Sequence, residues 1–231
     1  MAEKKNFRNF VAMKQKQPSQ KLKNKTAFIV DWFKTNQPNV SSELNFSNTF
    51  ELLVAVMLSA QCTDKRVNMV TPNLFQHFPS SKSLSEATFD EVLQLISSIS
   101  YPNSKARHLI AMAQMVENDF NGEVPTSPDD LEKLPGVGRK TANVVSAVAY
   151  GLPRMAVDTH IFRVCNRLGL TKATNPLQSE RQMMVLLKEE DVATAHHWFL
   201  LHGRYVCVAR KPKCASCPFT EVCDYHQTSE K

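Results

Sequence analysis

Lys140 follows the only Gly-x-Gly in the chain, Leu134-Pro135-Gly136-Val137-Gly138-Arg139-Lys140. Two glycines let the backbone approach a ligand closely and turn amide N–H groups outward, and the positive end of a following helix suits a phosphate. A loop of this kind, with Gly136, Val137, Gly138 and Arg139 at its tip, grips a nucleic-acid backbone without reading its sequence. Helical patterns on both sides exclude a dinucleotide fingerprint, which needs a preceding strand and a third glycine, and a Walker loop has longer spacing. A plain turn between packed helices is the alternative. Lys140 lies two residues beyond Gly138, so its amine projects from the phosphate-gripping end of the second helix. Desolvation and a positive helix terminus both disfavour an ammonium, and a neutral amine attacks carbon. On residue type and place alone, Lys140 is a phosphate-binding cation or a nucleophile.

Asp158 follows the apolar Met155-Ala156-Val157 and precedes Thr159-His160-Ile161, where an aspartate caps a helix. A carboxylate held at a helix start keeps its ionised form and can stabilise developing positive charge. Cys207, Cys214, Cys217 and Cys223 form C-x6-C-x2-C-x5-C, four thiols that share one centre. A single CxxC with wider outer spacings is unlike the paired knuckles of zinc ribbons, and on chemistry alone zinc and iron–sulfur both stand. Cys62 and Cys165 fall inside helical patterns and read as small buried apolar residues. Arg204, Arg210, Lys211 and Lys213 crowd the first half of the cysteine tail, either as a solvated charge run or as phosphate contacts. His196, His197 and His202, in the helix before it, read as surface or packed histidines.

The elements that must carry these residues are helical. Apolar residues recur at spacings of three and four: Phe28, Ile29, Trp32 and Phe33 make one stripe, and Phe50, Leu53, Val54, Met57 and Leu58 another. A long helix spans Asn103 to Phe120 and stops at Asn121-Gly122; a short one opens with Ser127 as N-cap and Pro128 at its first position and runs to about Leu134. Further helices follow Gly138 and Asp158, the latter ending at Gly169, and others fit Ser179 to Glu190 and Val192 to about Tyr205. Pro38, Pro72, Pro79, Pro102, Pro125 and Pro153 fall between these segments. No alternating strand and no repeat is found, and 6 glycines in 231 residues leave few tight hairpins. The fold class is all-α.

Composition sets the outer bounds. At 42% hydrophobic and 22% charged residues the chain is an ordinary globular protein. Its longest apolar run, Leu52 to Leu58, is far short of the roughly 20 residues needed to cross a bilayer. Residues 1–20 are Lys- and Gln-rich without an apolar stripe and read as a mobile basic arm, not a secretory signal. A cytoplasmic place is expected, where six cysteines are not three disulfides. The net charge of +6 suits a polyanionic partner.

The longer string LPGVGRKTANVV resembles the helix-hairpin-helix of the endonuclease III family of DNA glycosylases. The resemblance extends over most of the chain from about Lys21, through ELNFSNTFELLVAVMLSAQCTD, NGEVP, AVDTHIFRVCNRLGL, HGRYVCVARKPKC and the cysteine tail. It implies a two-lobed fold, with residues 42–152 as one helical domain and residues 21–41 plus 153–231 as a second that contains the cluster. Double-stranded DNA would lie between them, with Lys140 and Asp158 facing it from different lobes. It implies that Lys140 attacks C1′ of a damaged deoxynucleotide, with Asp158 as catalytic carboxylate, releasing an oxidised pyrimidine and then cleaving 3′ to the abasic site by β-elimination. It assigns a [4Fe–4S] cluster to Cys207, Cys214, Cys217 and Cys223. The damaged base must leave the stack, and the gap-filling candidates are Gln61, which matches the family position, and Tyr101. Tyr101 is a departure, since relatives often carry an aliphatic wedge residue preceded by glycine. Arg204 and Lys211 would add contacts to the DNA backbone, and a monomer, associated with the nucleoid if the source is prokaryotic, is expected. An adenine-mismatch glycosylase of the same superfamily generally lacks a lysine at the position of Lys140. A non-catalytic DNA-binding module or a redox sensor would not explain Lys140 and Asp158 together.

Overall fold

Two sets of buried apolar residues form separate cores, one from a single stretch of sequence and one from two. The computed structural model describes residues 17–229, so the basic arm expected over residues 1–20 lies outside the described residues as far as residue 16. Among the described residues every regular element is helical, and no helix is long and apolar enough to cross a membrane. The described residues divide into two compact units, one made of residues 42–152 and the other of residues 17–41 with 153–229.

The unit of residues 42–152 is built round helix α2, Thr49–Ser59, in which every residue from Leu52 to Leu58 is buried. A helix apolar on all sides sits at the centre of its unit, and α2 packs against α3 (Asp64–His77), α6 (Pro102–Phe120) and α8 (Arg139–Tyr150). The short helices α4 (Ser81–Ser85) and α5 (Phe89–Ile96) pack on α6. Both begin with a capping box, Ser80 with Ser83 and Thr88 with Glu91, the second in the usual Thr-x-x-Glu pattern. Helix α6 ends as expected, with Asn121 and Gly122 both at positive φ. Helix α7 is only Pro128–Leu131, turns replace its expected continuation to Leu134, and Ser127 caps it without a side-chain hydrogen bond. Pro72 also departs from expectation. It lies inside α3, where the lost hydrogen bond costs about 3 kcal/mol, offset by burial of Val67, Val70, Thr71 and Leu74 on the opposite face.

In the second unit α1 (Gln20–Asn36) packs with α9 (Thr159–Leu168), α10 (Pro176–Leu186) and α11 (Val192–Tyr205) round one core, and the C-terminal α12 (Asp224–Ser229) packs on α9. Phe33 stands at its middle: Trp198 stacks on it at 5.7 Å, and Phe199 and Phe219 meet it edge-on at 5.6 and 5.1 Å. Trp198 Nε1 donates to the Gln37 carbonyl at 2.8 Å, and Lys34 pairs with the buried Asp191 at 2.7 Å. The expected stripe on α1 is turned by this core, so that Phe28 is exposed while Thr26, Ile29, Val30 and Phe33 are buried. The helix expected over Ser179 to Glu190 instead ends at Leu186, and a separate turn at Glu189–Asp191 leads into α11.

Candidate active site and cysteine centre

The two hairpin glycines are needed for different reasons. Gly136 has φ +79°, and a Cβ there would lie 2.7 Å from His108 Cβ, so the fold itself requires glycine. Gly138, the N-cap of α8, has an ordinary φ of −97°, and a Cβ would meet nothing within 4 Å. Helix α8 makes its first hydrogen bond from Ala142 N–H to the Gly138 carbonyl at 3.0 Å, so the amides of its first turn point out of the helix end. Val137 departs from its expected place among the phosphate contacts: its side chain is buried in the core and its N–H donates to the Leu134 carbonyl at 3.0 Å. Arg139 is half-buried, with Nη1 4.0 Å from Glu132 Oε1. Lys140, one residue on, is exposed. The expected helix terminus is therefore present beside this side chain, which stands open to solvent.

This difference between the glycines is testable. Gly138→Asn keeps good N-cap chemistry and should change stability by no more than about 0.5 kcal/mol, while lowering affinity for every duplex alike at fixed salt. Gly136→Ala should instead cost about 1–3 kcal/mol in chemical denaturation. Equal loss of stability in both variants would show that Gly138 serves only the fold.

Gln61 and Tyr101 meet Gly136 around one cavity of about 160 Å³, together with Met57, Lys105 and His108. Both are exposed, Tyr101 to 64%, and both hold left-handed backbone, at φ 55° and 57°. Such a conformation costs about 1–3 kcal/mol at a non-glycine residue and concentrates at functional sites. Sequence patterning placed these two residues 40 positions apart with no sign that they share a pocket.

In the other unit, Asp158 Oδ1 accepts from His160 N–H at 2.9 Å and Ile161 N–H at 2.8 Å, the expected cap of α9. Both bonds use one oxygen of a half-buried carboxylate, which leaves Oδ2 for another task. Two arginines of α9 passed over in the sequence pin the start of the cysteine tail. Arg163 Nε donates to the Cys207 carbonyl at 3.0 Å and its Nη2 to that of Gly203 at 2.8 Å. Arg167 donates to the carbonyls of Val208 and Ala209 at 2.8 and 2.9 Å and to Cys207 Sγ at 3.5 Å, with its guanidinium 4.6 Å above the Tyr225 ring.

Cys207, Cys214, Cys217 and Cys223 all line one cavity with His202, Pro212 and Tyr225, and none forms a disulfide. Burial pushes the Cys217 and Cys223 thiols up, a cost that a bound metal's charge removes by deprotonating them. A single zinc would draw its sulfurs to roughly 3.8 Å from one another, given Zn–S of about 2.3 Å. Among the described residues no three His, Cys, Asp or Glu side chains converge in that way. Four thiols round one cavity are the donor set that a cuboidal cluster takes, one sulfur to each iron. His202 is buried with Nε2 3.7 Å from Cys217 Sγ, and burial pushes it down to about 4, so it is neutral at pH 7. His196 and His197 are also buried. Burial, and after it the charge of the half-buried Arg204, push the His197 imidazole down. Lys211 is exposed on left-handed backbone at φ 53°, between the exposed Arg210 and Lys213. Cys165 is fully buried in α9 as expected, whereas Cys62 departs from expectation, half-buried in the turn that follows α2.

Comparison with known proteins adds independent weight. Residues 54–189 match the HhH-GPD superfamily of base excision DNA repair proteins, and residues 207–223 match the iron–sulfur binding domain of endonuclease III. The chain is 45% identical to endonuclease III of Escherichia coli K12 over 86% of its own length and 94% of that relative. It is 43% identical to the Bacillus subtilis enzyme over 88% and 94%. A solved structure of a trapped endonuclease III–DNA covalent intermediate, an estranged-adenine complex, superposes with a TM-score of 0.85 at 40% identity, over 90% of this chain and 99% of that one. A thermostable thymine-DNA glycosylase shares the fold at 23% identity and a TM-score of 0.76.

Proposed function

Since the chain belongs to the endonuclease III family, carries a [4Fe–4S] cluster and acts on damaged DNA as a base excision repair glycosylase and abasic-site lyase, we propose that Lys140 is its nucleophile and Asp158 its catalytic carboxylate. The substrates are oxidised or ring-saturated pyrimidines, such as thymine glycol, in double-stranded DNA. The observation that carries this reading is the exposed Lys140 in the first turn of α8, beside an N-cap glycine whose surroundings are open. Backbone amides at that end bind phosphate while the amine reaches the sugar.

Lys140 Nζ, as the neutral amine, forms a bond to C1′ as the bond from C1′ to the base breaks, and the base leaves with the proton that Nζ gives up. Asp158 offsets the positive charge that develops at C1′. Opening of the sugar ring gives an imine between Lys140 and C1′, which acidifies C2′. Loss of a C2′ proton then expels the 3′ phosphate and cleaves the strand by β-elimination. Gln61 and Tyr101 fill the gap in the stack left by the extruded nucleotide, at a site where extrusion costs a few kcal/mol and less for a damaged base. Lys211, beside Arg210 and Lys213, adds non-specific backbone affinity. Arg204, half-buried near His197, contributes from the end of α11. Cys207, Cys214, Cys217 and Cys223 would hold the cluster, which when bound ties four points of the C-terminal loop together. The enzyme works as a monomer, since one chain carries the whole residue set, and in a bacterium its DNA substrate places it in the cytoplasm with the nucleoid.

Three duplexes test this reading, carrying thymine glycol, an abasic site, or adenine opposite 8-oxoguanine. Strand cleavage of the first two and little action on the third is the expected result. Adenine release from the third without strand cleavage would identify a single-step hydrolase.

A further inference from the structure

Gln61 and Tyr101 both sit in a backbone conformation that unaided residues of their type avoid. Strain of this kind persists only where neighbours over-determine it. Helix α2 ends at Ser59, and the last carbonyls of a helix have no partner within it. Lys105, in the first turns of α6, supplies one: Nζ donates to the carbonyls of Leu58 at 2.8 Å and Ala60 at 2.7 Å. A cation there also complements the negative end of the helix. The peptide immediately before Gln61 is thus held by a charge-assisted hydrogen bond, the stronger kind. Just after Gln61, Cys62 N–H returns to the Ser59 carbonyl at 3.0 Å and closes the turn. The first hydrogen bond of α6, from Lys105 N–H to the Tyr101 carbonyl at 3.1 Å, sets Tyr101 at the start of the same helix. Tyr101, the N-cap of α6, has no side-chain capping bond of its own.

We propose that the Lys105 side chain is the positioning group for base extrusion, bracing Gln61 against the start of α6, where Tyr101 stands, so that both enter the same gap in the duplex. The inference rests on the gap-filling role given to these two residues above. Lys105 lines the same cavity, yet its amine is committed to two carbonyls and takes no part in bond breaking. Its half-buried position pushes the amine down from its ordinary value, but the two carbonyl bonds favour the charged form.

Lys105→Met keeps most of the length and packing and removes the donors, while Lys105→Arg restores charged donors. The readouts are single-turnover base release from thymine glycol paired in a duplex, and β-elimination at a preformed abasic site in the same sequence, where no base has to be extruded. Lys105→Met should slow base release about tenfold, equivalent to 1.4 kcal/mol, with elimination changed less than threefold. Lys105→Arg should recover most of the loss. Thermal melting of each variant separates this pattern from unfolding, which would reduce both reactions together. Equal losses in the two reactions, or full base release by folded Lys105→Met, would overturn the bracing role. Gln61→Ala and Tyr101→Ala serve as references. If they release the paired base at the wild-type rate the gap-filling reading itself falls, whereas slow references beside a fast Lys105→Met remove only the role of Lys105.

Discussion

Borohydride added during turnover on a thymine glycol duplex should freeze a covalent protein–DNA adduct, and peptide mapping should place the sugar remnant on Lys140. Lys140→Gln should abolish the adduct and lower base release by about a thousandfold or more, because glutamine retains much of the length but is not a nucleophile. The side chain is exposed and the preceding loop is held by Gly136 and Val137, so the variant should fold and bind the duplex nearly as well as wild type. Asp158→Asn is the companion measurement. Asparagine caps a helix as well as aspartate does, so the bonds to His160 and Ile161 N–H should survive while the negative charge is lost. Base release should slow without loss of stability, and the double variant should be little worse than Lys140→Gln alone, since both residues serve one step. An adduct at full yield in Lys140→Gln would assign the nucleophile elsewhere.

Protein prepared without air should be yellow-brown and contain about four irons and four sulfides per chain. Cys217→Ser should lower the melting temperature by about 10 °C or more, as expected when a group that closes a loop with little regular structure is weakened. The loop from Cys207 to Cys223 contains only two single turns, Cys214–Ser216 and Thr220–Val222. It nevertheless carries Phe219 into the centre of the core, 5.2 Å from both Trp32 and His202. Slackening the loop withdraws that ring, and burying a phenylalanine is worth about 1.5–3 kcal/mol. Stoichiometric zinc without sulfide would refute the cluster assignment. A stable Cys217→Ser protein that binds DNA but no longer breaks bonds would give the cluster a part in the chemistry.

What the sequence by itself determined is whatever short-range physics controls. Apolar spacing revealed α6, α8 and α9, and Asn121, Gly138, Asp158 and Gly169 mark the helix ends where they were expected, because capping involves neighbours three or four residues apart. The four-cysteine spacing and the glycine hairpin were legible for the same reason. Only the tertiary structure decided which face of α1 is buried, and it exposed Phe28. It also separated Gly136, excluded from any side chain by His108, from Gly138, which meets nothing. It turned Val137 into the core and brought Gln61 and Tyr101 to one cavity. Lys105 reaching Ala60, and Arg167 reaching Val208 and Ala209, join positions more than 40 residues apart. A long cationic side chain that finishes on a distant carbonyl leaves no periodic trace in sequence, since its partner is a backbone atom that every residue possesses.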